Sequence, residues 1–257
     1  ELGVKGAFTS AGMDGSSDWR FKTHLANLPI YYEYKDNKVS DMDKIEFKYA
    51  ENYKNILDLY MDNSVSEKGL LGSVDVATSM AEFALGQCAM VQNGNWAWSQ
   101  IAEVSGNVVD AEDIKFLPIY MGLKDEDKQG LCVGTENYFC INKQVSEADQ
   151  KASLDFINWL ISDETGKDYM TNKLGNIAPF TTFADDEKPS DPLAQNLLAY
   201  MEGGKTSIPW IFTTFPSQTF KDNFGSALLE YAQGTMSWDE VKATVIDQWK
   251  TEKAAAK

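Results

Sequence analysis

The chain has few residues of the types that recognise phosphate or act as general bases. Among its 257 residues, Arg20 is the single arginine and His24 the single histidine, and the net charge is −16. Nucleic acid is therefore not expected as a partner, because its readers rely on arginine and an acidic surface repels phosphates. A single histidine also argues against a histidine-based triad or a zinc site with several imidazoles. We expect no metal and no cofactor, and any chemistry would have to come from carboxylates.

Cysteines and long apolar runs are also scarce. The three cysteines, Cys88, Cys132 and Cys140, show no CxxC spacing and lie in apolar runs, so buried core positions are predicted. The sequence does not decide whether Cys132 and Cys140 form a disulfide. No run approaches the ~20 apolar residues of a membrane span. The opening ELGVKGAFTS has the pattern of a helix end that runs into a strand, which suggests that the sequence starts within a fold.

What the chain does contain is an alternation of strand and helix patterns, which predicts an α/β fold. Ser146 and Ser237 each precede an acidic residue by three positions and mark two helix starts as capping boxes. The segment 206–220 is rich in proline and aromatic residues and is predicted to be irregular. Strands are predicted at 4–9, 88–92, 114–120 and as a pair around 131–143, and helices at 48–61, before Gly86, at 95–101, 147–161, 163–175, 193–204 and 220–234, and after Ser237.

Large aromatic residues stand at predicted loops between these elements. An aromatic face stacks on the C–H face of a pyranose, and neighbouring polar side chains satisfy the sugar hydroxyls. In QNGNWAWSQ (92–100), the Asn-Gly turn ends a strand, and a helix start would point Trp96 and Trp98 about 200° apart. One of the two indoles is then expected to face inward and the other outward. The loop aromatics are Trp19, Trp96, Trp210 and Phe215, with Asp18, Arg20, Asn95, Thr213 and Gln218 as polar neighbours.

The sequence offers weaker signals for three other kinds of site. KDEDK at 124–128 lacks the glycine and the distal glutamate of a calcium loop, so a solvated loop is favoured. A glycosidase needs two carboxylates across a sugar bond; Asp14, Asp18 and Glu136 are candidates, but nothing in the sequence pairs them. The chain has no GxSxG, Walker A or GxGxxG motif to support a hydrolase or nucleotide-binding function.

Three segments carry a resemblance to a known family. They are EFALGQCAMVQNGNWAWSQI (82–101), GTENYFCINKQVSEADQKASLDFINWLISDETGKDYM (134–170) and SIPWIFTTFPSQTFKDNFGSALLEYAQGTMSWDEV (207–241). The chain resembles the extracellular solute-binding proteins of ABC sugar importers, of the maltose-binding-protein-like family 1. The resemblance extends over essentially the whole chain, but the part of the family that forms most of lobe 1 has no counterpart in it.

The resemblance implies a class II periplasmic-binding-protein fold, here mainly the C-terminal lobe with a segment of the N-terminal lobe. Residues 1–132 would be the first part of lobe 2, 133–180 a crossover segment of lobe 1, and 181–257 the closing part of lobe 2. Ligand would lie in the cleft between hinged lobes. By the same resemblance, Trp96 stacks on sugar, Trp98 faces inward, and the other cleft residues are Asp18, Trp19, Arg20, Asn95, Glu136, Asn137 and Trp210.

The function expected from the sequence is capture of a mono- or oligosaccharide for import, without catalysis. The implied partners are the carbohydrate and the membrane subunits of an ABC permease, and the protein is expected to be a monomer. The implied location is extracellular, as a lipoprotein tethered to the outer face of the cell membrane, or periplasmic. Two alternatives remain at this stage: a glycoside-active enzyme that uses Asp18 or Glu136, and a binding protein for a peptide or polyamine.

Overall fold

The computed structural model describes residues 3–136, 138–178 and 180–256, and over these ranges the chain forms a helix-rich α/β fold. None of the helices in these ranges is long and apolar enough to cross a membrane. The elements are α1 (Asn27–Asn37), α2 (Ala50–Asp62), α3 (Val76–Ala84), α4 (Ala97–Ala102), β1 (Gln129–Val133), α5 (Glu147–Ser162), α6 (Glu164–Asp168), α7 (Pro192–Glu202), β2 (Thr206–Pro209), α8 (Gln218–Ala232) and α9 (Trp238–Ala255). Shorter helical turns are π-helical at Arg20–Leu25 and Tyr169–Lys173, and 3-10 at Lys68–Ser73, Glu126–Lys128, Asp185–Glu187 and Phe212–Thr214.

The helix starts follow the capping residues that the sequence predicts. The Ser146 side chain accepts a hydrogen bond from the Asp149 N–H at the start of α5. Ser237 and Glu240 form a complete capping box before α9, since each side chain pairs with the other's backbone. These caps satisfy N–H groups that have no partner inside the helix. Both predicted starts are confirmed.

The sheet is smaller than the sequence predicts. Within the described ranges it consists of β1 and β2, which pair in parallel with Cys132 opposite Ile208. The prediction of an irregular segment is wrong for Thr206–Pro209, which forms β2. Of the predicted strand 4–9, Phe8 makes isolated parallel bridges to Ser64 and Met90.

In the part of the chain that the structure describes, the predicted strands at 114–120 and beyond Val133 do not form. Side chains replace a neighbouring strand as partners of this backbone: Asn196 accepts from the Phe116 N–H at 2.6 Å, and Gln129 donates to the Ile119 carbonyl at 2.9 Å. Because these backbone groups are satisfied in this way, the segment lies extended without a ladder.

A helical region that the sequence does not predict lies between residues 20 and 37. The π-helical turn Arg20–Leu25 leads into α1, which carries Pro29 in its first turn, where a missing N–H costs little. Lys38 ends α1 in a left-handed conformation with φ of 56°. The turn packs against α8 and α1 packs against α2, so this stretch is in contact with the core on two sides.

The main hydrophobic core lies between α1, α2, α8 and α9. Trp249 is 0% exposed, donates from Nε1 to the Met42 carbonyl, and meets Phe220 at a ring-centroid distance of 5.3 Å. Phe215, predicted as a loop aromatic of the sugar-stacking kind, is 5% exposed and packs on Trp249 inside this core. A smaller cluster of Met80, Ala84, Ala97, Ile101, Ile114 and Leu193 joins α3, α4 and α7.

Helix α5 stands apart from both clusters. Leu160 is its one buried residue, whereas Leu154 is 58% exposed and Phe156 is 56% exposed. Its helical neighbours are α6 and the turn Tyr169–Lys173. The apolar stripe predicted for this helix therefore exists, but Leu154 on that stripe faces outward.

The cysteines differ in their surroundings, and all three are free. Cys88 is buried, Cys132 is half-buried and Cys140 is exposed, so the prediction of a core position is confirmed for Cys88 and wrong for Cys140. Burial raises the pKa of the Cys88 and Cys132 thiols to about 12. The disulfide that the sequence left open is absent.

Replacing Phe224 with alanine should destabilise the protein by about 3–5 kcal/mol, because the ring is 1% exposed in the main core. Phe156→Ala removes the same ring from the outer face of α5 and should cost less than about 1 kcal/mol. Urea denaturation measures both free energies of unfolding. Equal losses for the two variants would contradict this division between core and exposed face.

Candidate ligand-binding site

A cavity of about 180 Å³ opens at the carboxyl ends of the two paired strands. This is the edge at which ligands commonly bind in α/β sheets. Several separate stretches of chain supply its walls, and most of the wall side chains are apolar or aromatic. The lining residues are Trp19, His24, Leu28, Gln92, Asn93, Gly94, Asn95, Trp96, Phe116, Leu117, Pro118, Ile119, Gln129, Leu131, Cys132, Val133, Gly134, Glu136, Leu197 and Trp210.

One wall of the cavity is a continuous row of rings. Trp96 and Trp19 have centroids 6.0 Å apart, and Trp19 meets His24 edge-on at 4.6 Å. His24 in turn contacts Trp210 and Phe212, each at 4.7 Å. Such tilted and edge-to-face arrangements hold the rings in fixed positions. Trp96 stands at the open end of the row and is 41% exposed.

Arg20 supports Trp19 and the segment before Trp96 on the side away from the cavity. Its guanidinium lies 4.4 Å from the centre of the Trp19 ring, and its Nε donates to the Gln92 carbonyl at 2.9 Å. In return, Gln92 Nε2 donates a hydrogen bond to the Arg20 carbonyl at 2.8 Å. Arg20 is 1% exposed and does not line the cavity. Its place in the structure is that of a support for Trp19 and for the Asn-Gly turn.

The Asn-Gly turn sends the two neighbouring tryptophans in different directions. Asn93 closes the turn by accepting the Gly94 N–H at 2.9 Å, and α4 begins at Ala97. Trp98 is half-buried and packs on the smaller hydrophobic cluster, while Trp96 stays at the cavity wall. The two indoles thus point in different directions, but Trp98 is half-buried and also lines a second cavity, so it is not fully inside the fold.

The polar groups of the cavity are mainly amides. Gln92, Asn93, Asn95 and Gln129 line it, and Glu136 is the one carboxylate in its described lining. Glu136 Oε2 lies 3.4 Å from His24 Nε2, which has no aligned hydrogen bond and is buried. The other ring nitrogen of His24 lies 2.9 Å from the Thr23 hydroxyl. A lining of rings, amides and one carboxylate suits a largely neutral polar ligand.

Asp18 and Asn137 were also expected in the cleft, and neither is among the described residues of its lining. Asp18 does not line the cavity; it pairs with Lys22 Nζ at 2.9 Å beside Gly225 of α8. Burial raises the pKa of the Asp18 carboxyl above its ordinary value despite that ammonium group. Asn137 lies outside the described residues. Of the remaining predictions, the structure brings Trp19, Asn95, Trp96, Glu136 and Trp210 together around one cavity.

Asn27 positions the loop that carries Trp210. It is 0% exposed; its Nδ2 donates to the Pro209 carbonyl at 3.1 Å, and its Oδ1 accepts from the N–H groups of Ile211 and Phe212. One side chain thereby satisfies three backbone groups on both sides of Trp210. Sequence reasoning missed Asn27 and also His24, since neither belongs to a local motif.

A sequence model of the bacterial extracellular solute-binding proteins matches residues 3–196 of the chain. The chain belongs to this family. Searches of curated proteins and of solved structures gave no match. Membership makes the protein a solute-binding component of an ABC transporter, with a small-molecule ligand and permease partners, located outside the cell or in the periplasm. It is a family of binding proteins, and among the described residues no cluster of histidine, cysteine and acidic side chains could hold a metal.

Replacing Asn27 with leucine should destabilise the protein by roughly 2–4 kcal/mol, because three backbone groups lose their buried partner. The near-UV circular dichroism of the tryptophans should change as well, since Trp210 loses its fixed position. Asn52→Leu serves as control, because the Asn52 side chain, on α2, donates one hydrogen bond to the Met121 carbonyl instead of bonding to the backbone around Trp210. An unchanged aromatic spectrum in Asn27→Leu would contradict the positioning role.

Proposed function

We propose that the solute captured by this protein is a carbohydrate, and that binding leaves it chemically unchanged. The observation that carries this proposal is the row of rings ending at the half-exposed Trp96, with amide side chains beside it. A pyranose buries its apolar C–H face on an indole and turns its hydroxyl groups to hydrogen-bonding side chains at the ring edge. Asn95, next to Trp96, supplies both a donor and an acceptor for such hydroxyls.

The chemistry of the cavity favours this ligand over the two alternatives. Glycoside cleavage calls for a pair of carboxylates that face one bond. Glu136 is the one carboxylate among the described lining residues, whereas Asp18 is engaged with Lys22 on the side of α8. A polyamine or basic peptide would call for several acidic groups in the cavity, and the lining that the structure describes offers one, Glu136. The membership in a family of binding proteins agrees with capture without catalysis.

We also propose that the chain contributes to two lobes, with 1–132 and 181–257 in one and 133–180 in the other. Support comes from α5, which packs with α6 and the turn Tyr169–Lys173 rather than with the main core. Its exposed Leu154 and Phe156 suit a surface that another part of a lobe covers. Glu136 follows the proposed boundary closely, so lobe movement would carry it relative to Trp19 and Trp96. Closure around sugar would then give the permease a surface to recognise.

The remaining features of the proposal follow from the resemblance to sugar-importer components. The protein acts as a monomer at the outer face of the cell membrane, held there by a lipid anchor, and delivers its ligand to the permease. Asp18, Arg20 and Asn137 belong to this proposal through the resemblance, while Trp19, Asn95, Trp96, Glu136 and Trp210 are also supported by their shared cavity.

Titration calorimetry with a panel of sugars tests the function, and Trp96→Ala tests the site. The variant should lose on the order of 2 kcal/mol of binding free energy, roughly a 30-fold rise in Kd, because the stacking face is removed. Trp159→Ala is the matched control, since Trp159 is similarly exposed at 37% but lies on α5. Spermidine, choline and short peptides complete the panel.

Two results would count against the proposal. Heat of binding with spermidine, choline or a peptide, and none with any sugar, would replace the carbohydrate by another solute. Unchanged sugar affinity in Trp96→Ala would keep the ligand class but remove Trp96 from the site.

A further inference from the structure

A second cavity, of about 230 Å³, adjoins the first at Trp96. Trp96 and Asn95 line both cavities, whereas the other residues around the second cavity differ from those of the first. The Trp96 side chain therefore stands as a partition between two spaces. This arrangement is not needed for a ligand that occupies the first cavity alone.

The second cavity also places indoles beside polar groups, but most of its wall side chains are polar, whereas those of the first cavity are mostly apolar or aromatic. Trp98 and Ser99 come from α4, Asn172 and Lys173 from the turn Tyr169–Lys173, and the chain before α7 adds Ser190. Hydroxyl, amide and ammonium groups are all donors that sugar hydroxyls accept from. The composition thus suits a second sugar ring.

The charged groups of this cavity leave a cation available for ligand. Asp191 uses its carboxylate to cap α7, accepting from the N–H groups of Leu193 and Ala194. Within the described residues, the Lys173 ammonium has no carboxylate at ion-pair distance, unlike Lys167, which pairs with Glu187. Lys173 is consequently free to donate to hydroxyl or carboxylate oxygens of a ligand.

The size of each cavity fits one six-membered ring. A cavity of roughly 150 Å³ holds one benzene molecule. At about 180 and 230 Å³, the two spaces beside Trp96 are each somewhat larger than that. A monosaccharide would fill one space and leave the other without ligand.

Gly94 allows the indole to stand in this place. A Cβ on Gly94 would lie 2.2 Å from Trp96 Cζ3 and 2.3 Å from Cη2, so the ring rests directly against the glycine. Gly94 is not among the glycines with positive φ, so the backbone does not require glycine there. The close approach of the ring does require it, and Gly94 thereby sets the position of the partition.

From these observations we infer that the second cavity is a second sugar subsite, and that the ligand is an oligosaccharide with a ring on each side of Trp96. The inference rests on the proposed carbohydrate-binding function and adds chain length to it. Asn95 lies at the junction of both spaces, where its amide can hydrogen-bond to the rings on either side of the linkage.

Calorimetry on matched pairs of sugars tests the inference: glucose with maltose and cellobiose, galactose with lactose, and xylose with xylobiose. For the cognate pair, the disaccharide should bind at least about tenfold more tightly than its monosaccharide. In Lys173→Met this ratio should fall about fivefold, because one donor of the second subsite is lost. Lys250→Met, on α9 and away from both cavities, should leave the ratio as in the wild type.

A second variant keeps the test independent of Lys173. Gly94→Ala displaces the indole without straining the backbone, so the protein should unfold at nearly the same urea concentration while the disaccharide preference drops. Equal affinity for monosaccharide and disaccharide, or an unchanged ratio in both variants, would overturn the second subsite and leave the sugar-binding function standing. Failure of every sugar to bind would overturn both together.

Discussion

The reciprocal pair of hydrogen bonds between Arg20 and Gln92 is the contact on which the candidate site depends. It joins the π-helical turn Arg20–Leu25 to the Asn-Gly turn, two segments that are distant in sequence. Both bonds use a side chain of one residue and the backbone carbonyl of the other, so neither partner can move alone. The guanidinium also lies over the Trp19 ring. Arg20 therefore contacts Trp19 directly and is bonded to the chain just before Trp96, the two residues whose rings meet in the cavity wall.

Burial of this cation has a cost that its surroundings offset. Burial lowers the pKa of Arg20, while the negative charge of the Asp14 carboxylate acts in the opposite sense. Removing a buried guanidinium from water is compensated here by carbonyl acceptors and an aromatic face rather than by a carboxylate ion pair. The arrangement explains how a chain with one arginine uses it inside the fold, where lysine could not form the same planar contact.

The sequence predicts the parts of the fold that local patterns determine. The amphipathic stripe of α2 and the capping serines of α5 and α9 locate those helices to within two residues at their start. The strands at 114–120 fail because the Phe116 N–H bonds to Asn196, eighty positions away in the chain. A pattern of apolar residues carries no information about such a partner. β2 was missed for a related reason, since its parallel partner β1 lies far back in the sequence.

The site shows the same division between local and distant causes. Trp96 and Trp98 could be separated in advance, because the turn before them and the helix after them are local signals. His24 could not: five positions after Trp19, it would lie about 140° away on an α-helix, but the wider π-helical turn brings the rings together. Asp18 was predicted in the site because it precedes Trp19, but its side chain lies against α8 and pairs with Lys22. Closeness in sequence to a site residue was therefore misleading here.

The three thiols differ in exposure and in pKa, which has a practical consequence for labelling the protein. Cys140 is exposed on the segment 133–180, whereas the pKa of about 12 at Cys88 and Cys132 keeps those two sulfurs protonated near neutral pH. A maleimide dye therefore attaches first at Cys140, with the native sequence intact. Paired with a second fluorophore introduced on α9, such a dye reports the distance between the segment 133–180 and α9, which is the distance that a movement of the two proposed lobes would change.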